Sequence, residues 1–157
     1  MRFTRLTVVG LALVAASGCA SEPSLKEAAA ELQKDTQRLE ADDLFKNPLM
    51  KLRVLQRPDK DIRCDEDKFK RVLRATADDE RNSPDMDSHL DQAEGVMAGT
   101  LVHKLGYERK PPFTVDDDEV GRFIYGVKKD AGIVVAVYVT PESPTWRLQA
   151  ETSCLPR

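Results

Sequence analysis

The chain has 157 residues, 41% hydrophobic and 32% charged, with 24 Lys plus Arg against 27 Asp plus Glu. That is the composition and length of one soluble domain, able to bury about two-thirds of its unfolded surface, which speaks against a multidomain enzyme and against any need for a metal or dense disulfides. The net charge of −3 becomes −5 if Arg2 and Arg5 leave with the leader argued next, so clustered positive charge for nucleic acid or an anionic membrane is lacking.

Arg2 and Arg5 form a short basic start, and Leu6 to Ala20 carries no charge, with Leu6, Val8, Val9, Leu11, Leu13 and Val14 supplying the apolar stretch. This is the plan of a signal peptide over residues 1–18. A spanning helix needs about 20 apolar residues, and the strongly apolar part here stops at Ala16. Ala16, Ser17 and Gly18 run directly into Cys19, and this Ala-Ser-Gly-Cys stretch resembles the lipobox of bacterial lipoproteins, although that family more often has Leu where Ala16 stands. The resemblance implies that Cys19 receives a diacylglyceryl thioether and becomes the first residue, with residues 19–23 as lipidated cysteine and polar tether. Two acyl chains anchor stably at about 0.8 kcal/mol per buried CH₂, whereas one binds only reversibly. The implied address is the cell membrane, facing outside the cytoplasm.

Lipidation of Cys19 would leave two thiols, Cys64 and Cys154, 90 positions apart in an exported chain, and these are expected to pair. On the chain-entropy model such a bridge contributes about 4–5 kcal/mol before strain. Two free buried thiols are the alternative; metal binding fits less well because no Cys-x-x-Cys or His-x-x-x-His spacing accompanies either.

Residues 24–157 read as a single α+β domain. Ser24-Leu25-Lys26-Glu27 is a capping box, and Leu25, Ala28, Ala29, Leu32, Thr36 and Leu39 recur at three- and four-residue steps, predicting a helix that stops near Ala41. Asn47-Pro48 forbids its continuation. Met50, Leu52 and Val54 alternate with Leu49, Lys51 and Arg53, a half-buried strand, and Arg57-Pro58-Asp59-Lys60 has turn chemistry. Phe69 to Ala77 alternates again, with Phe69, Leu73, Ala75 and Ala77 on one side, while helix is a rival reading for Glu66 to Arg74.

Ser83-Pro84 opens a long helix whose stripe is Met86, Leu90, Ala93, Met97, Leu101 and Leu105, with Asp85 and Asp87 at its positive end. Gly106 is placed to end it in the left-handed conformation, with Tyr107 packing back on the last turn. Arg109-Lys110-Pro111-Pro112 must be extended, and Asp116 to Glu119 reads as an acidic loop. Val120 to Lys128, Gly132 to Thr140 and Trp146 to Cys154 read as an antiparallel meander. Phe123, Tyr125 and Val127 share one face of the first; Ile133, Val135, Val137 and Val139 share one in the second; Trp146, Leu148, Ala150, Thr152 and Cys154 share one in the third. The expected architecture is two-layer, an antiparallel sheet of about five strands with one long helix packed on one face and an N-terminal helix.

Chemistry-bearing patterns are few. His89 lies one helical turn from Asp85, near Asp87 and Asp91, and is the only His-carboxylate cluster; acidic residues at a helix start need no further explanation than the dipole. His103 is too far along the helix to join it. Asp116-Asp117-Asp118-Glu119 lacks the alternation and Gly of an EF-hand, and Asp78-Asp79-Glu80 reads as a soluble loop. No Gly-x-Ser-x-Gly, nucleotide-binding glycine motif or Ser-x-x-Lys set is present. Tyr107, Tyr125, Tyr138 and Trp146 beside Pro111-Pro112 either line a shallow recognition surface or belong to the core.

Lipobox, small cargo domain and one expected disulfide together resemble the small lipoproteins of bacterial envelopes, actinomycete-like ones in particular; the specific match covers Arg2 to Cys19. The expected role is non-enzymatic: a monomer tethered to the membrane through Cys19, without catalytic residues, cofactor or metal, that binds an envelope protein, polymer or ligand through its sheet face or loops, and does not bind nucleic acid. The alternatives are a carrier enclosing a hydrophobic ligand between helix and sheet, and, less favoured, a metal-dependent hydrolase using His89, Asp85 and Asp87.

Overall fold

Ser24 and Glu27 cap the first helix reciprocally: the Glu27 amide donates to Ser24 Oγ at 3.3 Å and the Ser24 amide donates to Glu27 Oε2 at 2.9 Å. The structure, a computed structural model, describes residues 22–80, 85–111 and 121–157. The expected signal peptide, Cys19, the Ser83-Pro84 opening, Pro112 and the Asp116–Glu119 loop lie outside the described residues. Helix α1 runs Leu25–Ala41 and buries Leu25, Ala28, Leu32, Asp35, Thr36 and Leu39. Its stripe is the expected one except that Asp35 joins it and Ala29 is only half-buried. The Asp42 side chain ends it by accepting from the Leu44 amide at 2.9 Å, which starts a 3₁₀ turn over Asp43–Lys46.

Asn47 repeats that device on the Leu49 amide, and Pro48 opens a second 3₁₀ turn, Pro48–Met50. The strand expected from Leu49 therefore begins only at Arg53. The strands are β1 Arg53–Gln56, β2 Ile62–Asp65, β3 Lys68–Lys70, β4 Val72–Ala77, β5 Glu108–Lys110, β6 Arg122–Lys128, β7 Ile133–Val139, β8 Trp146–Thr152 and β9 Leu155–Pro156. Six form one sheet in the order β1-β4-β8-β7-β6-β5, and β2-β3-β9 form a second; every pairing is antiparallel. The fold is thus α+β with an antiparallel sheet, as expected, but has two sheets where one of about five strands was predicted. The missed strands β2, β5 and β9 have two to four residues, too few to display a period of two. From Glu66 to Arg74 the chain forms no helix but a turn at Glu66-Asp67 followed by β3 and the start of β4.

Helix α2 spans Met86–Gly99 and continues as a π-helical turn over Thr100–Lys104. Asp85 caps it, accepting from the Asp87 and Ser88 amides. Leu90, Ala93, Met97, Leu101 and Leu105 are buried, but Met86 is 56% exposed. Gly106 takes φ 78°, and the Tyr107 amide returns to the Leu101 carbonyl at 3.0 Å.

Both helices pack on one face of the six-stranded sheet. Leu32, Leu73, Leu90, Met97, Leu101, Ile124, Val135, Val137 and Trp146 fill that layer at 2% exposure or less. The Trp146 Nε1–H donates to the Ala93 carbonyl at 3.0 Å, and Phe45 meets the indole edge-on. On β7 and β8 the expected inward sets are the observed ones. On β6 the inward residues are Ile124 and Gly126, so the face shared by Phe123, Tyr125 and Val127 looks away from the helices. A smaller cluster of Leu25, Ala28 and Leu155, with Phe69 against it, joins the start of α1 to the second sheet. Cys64 on β2 is bridged to Cys154 beyond β8, with Cα atoms 6.0 Å apart. Among the described residues no helix is long and apolar enough to cross a membrane.

Candidate functional site

The outer face of the six-stranded sheet is the candidate surface. Strand register places Phe123, Tyr138, Arg147 and Thr76 side by side in one row, and Tyr125, Ala136, Gln149 and Arg74 in the next. The aromatic half of each row lies on β6 and β7 and the polar half on β8 and β4. Phe123 and Tyr138 stack with centroids 4.5 Å apart and planes inclined by 28°. Gly121 makes that possible: a Cβ there would stand 2.6 Å from Tyr138 Cε2. The face forms a depression of about 640 Å³, and Glu151 is the only carboxylate lining it among the described residues. Lys70 engages Glu151 at 3.0 Å, and Gln149 donates to it at 3.3 Å. The sequence pattern held the apolar set of this surface, Phe123, Tyr125 and Val127, without showing that it faces out.

The expected aromatic group is split between layers. Tyr125 and Tyr138 are half-buried on the outer face, whereas Trp146 and Tyr107 lie inside. Trp146 is inward by strand parity. Tyr107 is inward because Gly126 leaves room for it, the position of a Gly126 Cβ being 3.1 Å from Tyr107 Cβ. Pro111 is exposed.

Tyr107 leads to a second cluster that sequence reasoning missed. Its Oη donates to Asp35 Oδ2 at 2.9 Å, and Lys128 Nζ donates to both Asp35 oxygens and to Glu31 Oε1 at 2.9 Å. The ammonium also lies 4.9 Å from the Tyr107 ring centroid. Burial raises the Asp35 carboxyl above its ordinary value against the opposing pull of Lys128, burial and the Asp35 charge raise the Tyr107 phenol, and the Lys128 hydrogen bond lowers Glu31. Every donor and acceptor is engaged within the protein, the arrangement of a structural tie between α1, β6 and the end of α2. An open cleft of about 710 Å³ beside it is lined by Pro23, Glu27, Glu31 and Lys128 among others.

The structure does not bring the His89 cluster together. His89 is buried and turns inward, its Nδ1 3.8 Å from Asp79 Oδ2. Asp85 is occupied as the helix cap, and Asp87 and Asp91 pair with Arg122 at 3.4 and 3.0 Å. His103 is exposed. Among the described residues no three His, Cys, Asp or Glu side chains converge on a point where a metal could sit. Asp78-Asp79-Glu80 is no free loop: Asp78 accepts from Arg53 and from Ser143, Glu80 accepts from Asn47, and burial raises the Asp79 carboxyl. With the Asp79 amide donating to Thr145 Oγ1 at 3.3 Å, these ties fasten the β4 exit to β1, to Asn47 and to the β7–β8 connection.

No family model, curated protein or solved structure proved similar to this chain.

Proposed function

We propose that the chain is a lipid-anchored protein of a bacterial envelope, held outside the cytoplasm through Cys19, whose domain is a non-enzymatic binding module working through the outer face of its six-stranded sheet. The observation that carries the reading is the asymmetry of that sheet. One face is filled by helices to complete exclusion of Trp146, Leu90 and Val137, while the other keeps the Phe123–Tyr138 stack half-exposed in a shallow depression. A half-exposed aromatic surface beside a finished core points to recognition, because solvated aromatic area contributes little to folding and much to binding.

The placement of Pro23 supports the anchor. Pro23 Cγ lies 3.2 Å from the position of a Cβ on Gly132, so the chain enters the domain at the β6–β7 turn. Three residues lie between Cys19 and Pro23, four steps along the chain with a reach of about 14 Å at full extension. A diacylated Cys19 would hold this end against the headgroups, with β7 leading away from the bilayer and the outer face open to the side.

Metabolic palmitate labelling of wild type against Cys19→Ser tests the anchor. Label in the wild-type membrane fraction and none in the variant is expected; equal labelling, or a cytoplasmic chain beginning at Met1, overturns it. A photoreactive residue in place of exposed Ala136 tests the surface. It should capture an envelope component in intact cells where the same residue at Gln37, on the solvent side of α1, captures none; no capture at Ala136 overturns that surface.

A further inference from the structure

We infer that the outer sheet face takes a linear acidic saccharide, a short run of carboxylate-bearing sugar rings, with Phe123 and Tyr138 as stacking platform and Arg147 and Arg74 as carboxylate-reading groups. The inference rests on the binding-module reading and names its ligand class.

Size decides first. The face spans five strands, four spacings of about 4.8 Å, and about 14 Å along β6, a footprint of about 270 Å². Each partner of a stable protein complex buries about 800 Å² of accessible surface, so a folded protein would have to engage far more than this depression. A narrow chain of rings matches it.

Charge decides next. Arg147 has no acidic partner among the described residues, and Arg74 Nε donates to the neutral Gln149 Oε1 at 3.1 Å. Glu151, the one carboxylate lining the face among the described residues, is already matched by Lys70. Among the described residues, two guanidinium groups therefore stand on this face without a carboxylate partner, in a chain whose overall charge is −3. Guanidinium presents a planar fork that fits a carboxylate at two points, a match that a neutral sugar does not offer.

The layout supplies the rest. Tyr138 sits between Phe123 on one side and Arg147 on the other, one strand spacing from each. A sugar ring laid across the stacked pair packs its C–H groups on the solvent side of the two rings and places a carboxylate one strand over, at Arg147. Arg74, two strands from Ala136 in the next row, reads a second carboxylate further along.

Calorimetry on the detergent-solubilised full chain tests the assignment, with tetragalacturonate as the acidic probe and cellotetraose as its neutral counterpart. Tetragalacturonate should bind at least tenfold more tightly and weaken as salt is added. Arg147→Gln and Arg74→Gln should each reduce that affinity about tenfold and leave the neutral probe unchanged. Both side chains are exposed, so these variants fold. Phe123→Ala should weaken both probes, with its melting temperature recorded alongside. Absence of heat with millimolar tetragalacturonate, equal affinity for both probes, or an unchanged Arg147→Gln overturns the acidic-saccharide assignment. If the Ala136 photoprobe still captures an envelope component, the binding-module reading survives that loss; if it captures none, both fall.

Discussion

Lys128 and Asp35 meet at two points inside the protein, Nζ lying 2.7 Å from Oδ1 and 2.8 Å from Oδ2, with the Asp35 side chain 1% exposed. The pair bolts the middle of α1 to the end of β6, in a stripe that otherwise presents Leu32, Thr36 and Leu39. Burying two charges costs several kcal/mol each before their attraction returns it, so the pair contributes position more than net stability. Removing one partner is a different matter. Lys128→Met leaves Asp35 buried with only Tyr107 and the distant Arg38 to compensate, and is expected to destabilise by about 3–5 kcal/mol in urea denaturation. The double variant Asp35→Leu with Lys128→Met should recover most of that loss; a double variant as unstable as the single would show that the charges themselves hold the helix.

The same cluster sets two opposed pH dependences. Asp35 has a folded pKa above its unfolded value, so its contribution to stability is full below the unfolded value, near 3.9, and is lost as pH rises through the folded one. Glu31 has a folded pKa below its unfolded value; its contribution is present above about 4.3 and is lost as pH falls through the depressed one. Glu31→Gln should therefore flatten the acid limb of melting temperature against pH, by a modest amount because Glu31 is 30% exposed. Asp35→Asn should steepen that limb. Melting curves between about pH 3 and pH 7 cover both windows; a flatter limb for Asp35→Asn contradicts the assignment.

The Cys64–Cys154 bridge encloses a 90-residue separation and ties the three-stranded sheet to the residues just past β8. The apolar contacts of the smaller sheet reduce, among the described residues, to Leu25, Ala28, Leu155 and Phe69, with Lys70 on Glu151 as a polar tie to the large sheet. Replacing both cysteines by serine is expected to cost about 2–5 kcal/mol. Hydrogen exchange should locate the loosening in β2, β3 and β9, leaving the large sheet protected. Non-reducing intact mass of the wild type should fall about 2 Da below the reduced chain, one hydrogen lost per paired thiol; two free thiols would remove the bridge from the account.

Much of the fold was legible because its long elements carry undiluted signals. The Ser24–Glu27 box fixed the start of α1, the β-branched run Ile133 to Val139 and the alternation after Trp146 gave two strands with their faces, and Gly106 marked the end of the second helix. The rest fails for identifiable reasons. Asp35 sits where spacing asks for an apolar residue, and nothing in the local sequence says that Lys128, 93 positions on, will reach it. His89 looked like the partner of Asp85 because helical spacing brings them to one side, yet Asp85 is consumed in capping and His89 turns into the core toward Asp79. Of the candidate surface, the aromatic residues were visible but not their sorting, which tertiary contacts decide. On β6 alternation favours the face of Phe123, Tyr125 and Val127, yet the face carrying Arg122, Ile124, Gly126 and Lys128 meets the helices.

That choice has its own test at Gly126. Facing the helices on β6, Gly126 leaves space that Tyr107 fills, and a Cβ would stand 3.1 Å from both Tyr107 Cβ and Val135 Cγ1. Neither neighbour can give way cheaply: Tyr107 is held by its hydroxyl on Asp35 and by the backbone bond to Leu101, and Val135 by the central strand. Gly126→Ala should therefore destabilise by about 1–3 kcal/mol through overpacking, although alanine is otherwise the better strand residue. Combining it with Tyr107→Phe separates two outcomes. If the clash acts by dislodging the phenol from Asp35, the two costs overlap and the double variant is less unstable than their sum; simple additivity in denaturation would mean that the ring stays on Asp35 and that β6 itself bends away.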